Sequence, residues 1–222
     1  MIHVAILKPG YIKDILAGRK TIESRLTKTR QPPHGRIEEG QRLFLKASGG
    51  PFMATAVASA VSGFEDMQRE DVKQLRKQYG EQIGGDDAYW ALKRDSRFAT
   101  LIELTDVEPI EVGPKYKVAY MKAWYVLDDA LSPLRDWVIT DGALQNNYAC
   151  LPIAKQSPHK QEQPIKLHLP HGETVVTDLV DGRRVRWRGW GPVYRAAGAR
   201  AGDVLRFVEI EPRQYTVRVV RG

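Results

Sequence analysis

The run Asp14-Ile15-Leu16-Ala17-Gly18-Arg19-Lys20-Thr21-Ile22-Glu23-Ser24-Arg25-Leu26 changes its period halfway along. Upstream, Tyr11, Ile12, Ile15 and Leu16 recur at helical spacing, and Gly18 follows as a natural left-handed C-cap. Downstream, residues 22–26 alternate as a strand, with Glu23 and Arg25 on one face and Ile22 and Leu26 on the other. A helix therefore hands over through a glycine turn to a strand whose polar face presents an acid and a base. Lys20 is expected to project from the turn rather than from a packed face.

Outward from this unit, residues 3–8 read as a first strand, broken by Pro9-Gly10. Residues 27–40, rich in Pro, Gly and charge, read as a loop. Residues 41–47, 54–61, 98–104 and 122–127 read as further strands. Residues 66–79 form an amphipathic helix with Val72, Leu75 and Tyr79 inward. Asp86 is placed as the N-cap of a helix carrying Tyr89-Trp90. Many strands and few short helices indicate a mainly β, α+β protein with a mixed barrel at the N-terminus.

At 222 residues, two domains are favoured over one. The expected division is 1–130, a joint at 131–136 around Leu131-Ser132-Pro133-Leu134, and a second domain at 137–222. In that half, 165–169, 174–179, 184–188, 204–210 and 215–220 read as strands. Asp181-Gly182 reads as a hairpin turn, 154–164 as a loop or linker, and 193–199 as one or two helical turns.

Charge is uneven. Residues 1–136 hold 21 Lys and Arg against 19 Asp and Glu, whereas 137–222 hold 13 against 8, and ten of those 13 are arginines between Arg183 and Arg221. A phosphate-rich partner would be drawn to such a face, although a solvated basic surface without a partner has the same composition. One cysteine, Cys150, excludes an internal disulfide framework and suits a reducing compartment. No apolar run is long enough to span a bilayer and the N-terminus has no basic leader, so the expected location is cytoplasmic. One Cys and five scattered His offer no metal-ligand spacing, and His168 with His171 lacks a nearby third ligand. No metal or cofactor is expected.

The pattern Gly-x-Lys-x-x-Glu-x-Arg at Gly18, Lys20, Glu23 and Arg25 resembles the signature of the ASCH domain, a β-barrel of the PUA-like superfamily. Leu43-Phe44-Leu45-Lys46 and Tyr89-Trp90-x-x-Lys93 extend the resemblance, which covers roughly residues 2–130. The resemblance implies nucleic-acid binding, RNA in particular, through Lys20, Glu23, Arg25 and Lys46. Some members of that family are enzymes: one bacterial member deacetylates N4-acetylcytidine with a lysine at the position of Lys20 and a threonine three residues later, and others cleave RNA. On an enzymatic reading the catalytic candidates are Lys20, Thr21 and Glu23, with a third carboxylate at Glu81 or Asp86. Here Glu23 occupies the threonine position and Thr21 stands beside the lysine instead, which favours recognition over catalysis.

Residues 137–222 resemble the DNA-binding pseudobarrel of plant auxin-response-type factors and restriction-endonuclease recognition domains. The resemblance rests on Gly142-x-Leu144-x-Asn146-x-Tyr148, read as a strand, on Arg188-x-Trp190-x-x-Val193-Tyr194, on Gly198, and on Gly202-Asp203-x-x-x-Phe207 and Tyr215-x-Val217-x-Val219. Arg184, Arg186 and Arg188 would share a strand face, joined by Arg183 and Trp190. Arginine suits bidentate phosphate or guanine contact, and Trp can stack on a base. The same arginines could equally solvate an edge strand, with Trp187 in the core. The expected function is a nucleic-acid-binding protein whose two modules contact DNA or RNA, one reading a modified base in the N-terminal cavity. The alternative is a hydrolase acting on nucleic acid or a modified nucleoside.

Overall fold

Strand β1 (Ile2–Leu7) is buried almost throughout, because it lies inside a sheet. It runs parallel to β3 (Arg42–Ala47) on one side and antiparallel to β6 (Trp124–Leu127) on the other. The structure, a computed structural model, describes residues 1–117, 119, 122–152, 164–180 and 183–222. The chain divides into two units, Met1–Ser132 and Pro133–Gly222, both mainly β with short helices, an α+β organisation.

The N-terminal sheet also contains β2 (Ile22–Thr27), β4 (Phe52–Phe64) and β5 (Phe98–Pro109), in the order β2-β5-β4-β3-β1-β6. Strands β4 and β5 run longer than their apolar alternation indicates. Ser62 and Gly63 have little strand propensity, but they pair with Leu101 and Thr100, and that pairing holds them extended. Ala54, Ala56 and Ala58 are fully buried, and their small side chains leave room for α1 (Pro9–Leu16), whose Ile12 and Ile15 enter the same core. Burying each isoleucine contributes about 1.5–3 kcal/mol. The helix ends as expected: Gly18 sits at φ 72, with its N–H on the Ile15 carbonyl and the Arg19 N–H on that of Asp14. This is a Schellman closure.

A second core joins Ile22, Leu26, Ala99 and Leu101 of the sheet to α2 (Arg69–Ile83) and α3 (Asp87–Lys93) through Val72, Leu75, Ile83 and Trp90. Helix α2 starts three residues later than expected, since Gln68 is its cap and its N–H bonds the Asp71 carboxylate at 2.7 Å. It passes through Gly80 and stops at Gly84, which is left-handed at φ 66. Asp86 caps α3 by accepting the Tyr89 N–H at 2.7 Å. A 3-10 turn at Asp129–Leu131 follows β6.

The C-terminal unit comprises β7 (Leu134–Val138), α4 (Asp141–Asn146), β8 (Ile165–His168), β9 (Thr174–Thr177), β10 (Leu179–Val180), β11 (Arg184–Val185), α5 (Trp190–Ala197), β12 (Val204–Glu211) and β13 (Gln214–Val220). Its sheet runs β7-β12-β13-β8-β9, and β10 pairs with β11. Trp190, Leu205, Phe207, Leu167 and Tyr215 form its core. Strand β7 begins inside the expected joint. The stretch read as a strand at 142–148 is instead mostly helix α4, because Thr140 accepts the Ala143 N–H and nucleates a turn. The expected strand 184–188 ends at Val185. The hairpin turn at Asp181-Gly182 and residues 154–163 of the expected loop lie outside the described residues. Among the described residues no helix is long and apolar enough to cross a membrane.

Candidate functional site

Lys20 does not project into solvent as its turn position suggested. Its side chain is 4% exposed, and its ammonium donates to the carbonyls of Ile22 at 2.6 Å and Ile83 at 2.8 Å. Ile83 is the last residue of α2, where helix carbonyls lack internal partners and the dipole is negative. The neighbouring Thr21 N–H closes the Gln82 carbonyl at 3.0 Å. The turn leaving α1 therefore caps the end of α2, which draws Lys20 inward. Burial lowers the Lys20 pKa from its usual value, opposed by Glu23, whose Oε2 lies 3.5 Å from Nζ.

Glu23 is also buried, and its Oε1 accepts from Arg25 Nε at 2.8 Å. The Arg25 guanidinium continues to the Ile6 carbonyl at 3.1 Å and, more loosely, the Ala123 carbonyl at 3.4 Å. Strands β2 and β6 are the two edges of the sheet. The sheet thus curls until Arg25 on one edge touches β1 and the residue preceding β6, crossing a seam that no backbone hydrogen bond bridges among the described residues. The guanidinium carbon lies 5.1 Å from the Trp124 ring centroid. Trp124 is held from behind: its indole N–H donates to His3 Nδ1 at 3.1 Å. An indole can only donate, so the His3 proton sits on Nε2, 2.7 Å from Gln41 Oε1. Burial lowers the His3 pKa and favours that neutral ring.

Between these groups lies a cavity of about 430 Å³, within the size range of small-molecule sites. Lys20, Glu23 and Arg25 line it together, as do the rings of Tyr11, Tyr89 and Trp124 and the apolar side chains of Ile6, Leu26 and Ile83. Tyr89 OH and Ser24 Oγ are 2.8 Å apart, and burial pushes the Tyr89 pKa up to about 12. Lys93 donates to the Leu26 carbonyl at 2.9 Å, and burial, then Arg25, lowers its pKa. Lys122 completes the lining as an exposed side chain.

Of the residues named from the sequence, Lys20, Glu23 and Arg25 come together. Thr21 is exposed and outside the cavity; it precedes β2, and its N–H is spent on the Gln82 carbonyl at the end of α2. Lys46 is also outside; it bonds the Gly50 carbonyl and packs over Phe52. Glu81 is exposed on α2, and Asp86 serves as a helix cap. Tyr11, Ser24, Tyr89, Lys93, Lys122 and Trp124 were not singled out as site residues. For two of them a signal existed: Tyr89 and Lys93 are four apart on one helix and so share a face.

Comparison with solved structures finds weak likeness to ASCH from Zymomonas mobilis, with 21% identity, coverage of 48% of this chain and 68% of that one, and a TM-score of 0.39. A variant of the same Zymomonas mobilis protein gives 20% identity, coverage of 57% and 88%, and a TM-score of 0.44. No family model matches the sequence, and no curated protein matches it.

In the C-terminal unit, Arg183, Arg184, Arg186 and Arg188 are all exposed. Arg184 packs over the Tyr148 ring at 5.1 Å, and Arg186 pairs with Asp178 at 3.0 Å. They do not form one strand face, since β11 is only two residues long. Trp190 does not join these arginines at the surface as its spacing suggests. It is fully buried, against Trp187, Tyr194 and Phe207, and cannot stack on a base. Cys150 is half-buried and its thiol is pushed up by burial, which opposes a thiolate role. Among the described residues no group of three or more His, Cys, Asp or Glu is placed to hold a metal.

Proposed function

We propose that the N-terminal unit binds nucleic acid by taking one unpaired base into the cavity, while the arginines of the C-terminal unit contact the phosphate backbone. The observation that carries this reading is Glu23, a buried carboxylate clamped by Arg25 and Lys20 beside three aromatic rings. A fixed carboxylate accepts hydrogen bonds from the amino or imino edge of a base, and aromatic walls accept its faces. A base paired within a duplex cannot enter such a space, so the ligand is single-stranded or flipped out. The resemblance of residues 18–25 to the ASCH signature supports RNA as that nucleic acid, and the resemblance of the second half to the DNA-binding pseudobarrel supports a duplex grip. A modified base is compatible with the cavity volume.

Two observations disfavour the hydrolytic alternative. Thr21 is outside the cavity, and the Lys20 ammonium is already directed to two carbonyls and a carboxylate, leaving it poorly placed to accept a proton. The test is fluorescence anisotropy with single-stranded and duplex oligonucleotides of the same sequence across a salt series. Tighter binding of the single strand, weakened about tenfold or more by Glu23→Gln, is expected. Equal binding of both forms together with indifference to Glu23→Gln would overturn the reading.

A further inference from the structure

The cations of the cavity fall into two pairs. The Lys20 ammonium and the Arg25 guanidinium are committed to the walls: between them they serve the carbonyls of Ile22, Ile83, Ile6 and Ala123 and the Glu23 carboxylate. Lys93 and Lys122 are not. Lys93 gives one hydrogen bond, to the Leu26 carbonyl, leaving two of its three ammonium hydrogens without a partner among the described residues. The Lys122 ammonium makes a ring contact with Tyr125 at 4.9 Å and no hydrogen bond among the described residues. Against these four cations the described lining holds a single carboxylate, Glu23, and it is already shared by Lys20 and Arg25. Positive charge in excess around one cavity, with lysine donors not committed to its walls, favours an anion.

We propose that the cavity is a nucleotide site rather than a nucleoside site, with Lys93 and Lys122 receiving the phosphate of the residue whose base it takes. This rests on the proposed base-binding role and adds to it the chemical class of the ligand. The cavity reads two ends of one molecule. Glu23 accepts from the base edge, and the two uncommitted lysines donate to a phosphate ester. A neutral nucleoside would leave those lysines uncompensated; a phosphate supplies acceptors for the free ammonium hydrogens and relieves the repulsion between Lys93 and Arg25. The phosphate can be a terminal monoester or an internal diester, since both present non-bridging oxygens to lysine.

The experiment is calorimetric titration of the full chain with the four ribonucleosides, their 5′- and 3′-monophosphates, short single-stranded oligonucleotides and inorganic phosphate. At least one monophosphate should bind about tenfold or more tightly than its parent nucleoside, the effect of one charge-assisted hydrogen bond. In Lys93→Gln/Lys122→Gln that ratio should fall to about one. A preference confined to one monophosphate isomer marks a terminal phosphate, whereas retention of the preference only in oligonucleotides marks the internal diester. Thermal melting confirms that the double variant folds; if it does not, Lys122→Gln alone, at an exposed position, should still lower the ratio. Equal affinity for nucleosides, their monophosphates and the oligonucleotides, or a preference that survives both substitutions, overturns the proposal while leaving base binding intact. Failure of every nucleotide and oligonucleotide to bind overturns both.

Discussion

Arg25 Nε lies 2.8 Å from Glu23 Oε1, on the same face of one strand, and the same guanidinium reaches the Ile6 carbonyl across the open seam of the sheet. One side chain thus orients the cavity's carboxylate and ties its two walls together. Arg25→Ala would leave Glu23, 4% exposed, without its nearer cation. The expected loss is about 3 kcal/mol in urea unfolding, the usual cost of breaking a buried pair from one side. Arg25→Lys should recover little of it, because an ammonium lacks the fork that serves three acceptors at once. A loss below about 0.5 kcal/mol would place the pair with ordinary surface bridges.

His3 ties stability to pH. Its folded pKa lies below the ordinary 6.5 because burial disfavours the charged ring. Between the folded value and 6.5 the unfolded chain holds more protons than the native one, so stability rises with pH across that interval and falls on acidification through it. Protonation at Nδ1 would also displace the Trp124 hydrogen bond. Denaturant midpoints collected from pH 7 downward should show His3→Gln losing part of the wild-type slope. Parallel curves for the two proteins would contradict the assignment.

Gly85 lines the cavity beneath Tyr89, and a Cβ placed there would run into the Tyr89 ring. Its backbone is not left-handed, so Gly85→Ala acts sterically rather than through strain. The ring must shift, breaking its contact with Ser24 and reshaping one aromatic wall. Oligonucleotide affinity should fall several-fold with little change in melting temperature. Unaltered affinity would remove Tyr89 from the recognition surface.

Trp190 and its arginine neighbours should separate cleanly. Trp190→Ala removes a fully buried side chain and is expected to cost about 3–5 kcal/mol. Arg184→Glu with Arg186→Glu touches only exposed groups and should leave unfolding nearly unchanged, while lowering DNA affinity and flattening its salt dependence. If the double charge reversal leaves affinity unaltered, the basic surface of the C-terminal unit has no part in binding.

Much of this protein was legible locally. The Schellman end of α1, the left-handed Gly18, the two-faced strand at Glu23 and Arg25, and the Asp86 cap all depend on residues within one helical turn or strand of each other. Short-range sterics and hydrogen bonding decide them. Where local signals are generic, distant contacts and caps decide the outcome instead. The stretch at 142–148 alternates like a strand, yet the Thr140 cap made a helix of it; Trp190, spaced among arginines, resembled a surface aromatic but was claimed by a core of residues distant in sequence.

What the sequence determined alone was therefore the α+β class, the helix–turn–strand unit and the identity of three charged side chains. Only the tertiary structure decided what those charges do. Lys20 is drawn inward because the end of α2, more than sixty residues away, offers it a carbonyl. Arg25 becomes a strut because the sheet curls its two edges toward each other. Lys93 and Lys122 line one cavity because α3 and the segment before β6 arrive at the same place. Propensity and periodicity act between near neighbours, whereas enclosure, desolvation and charge balance belong to groups that meet only when the chain is folded.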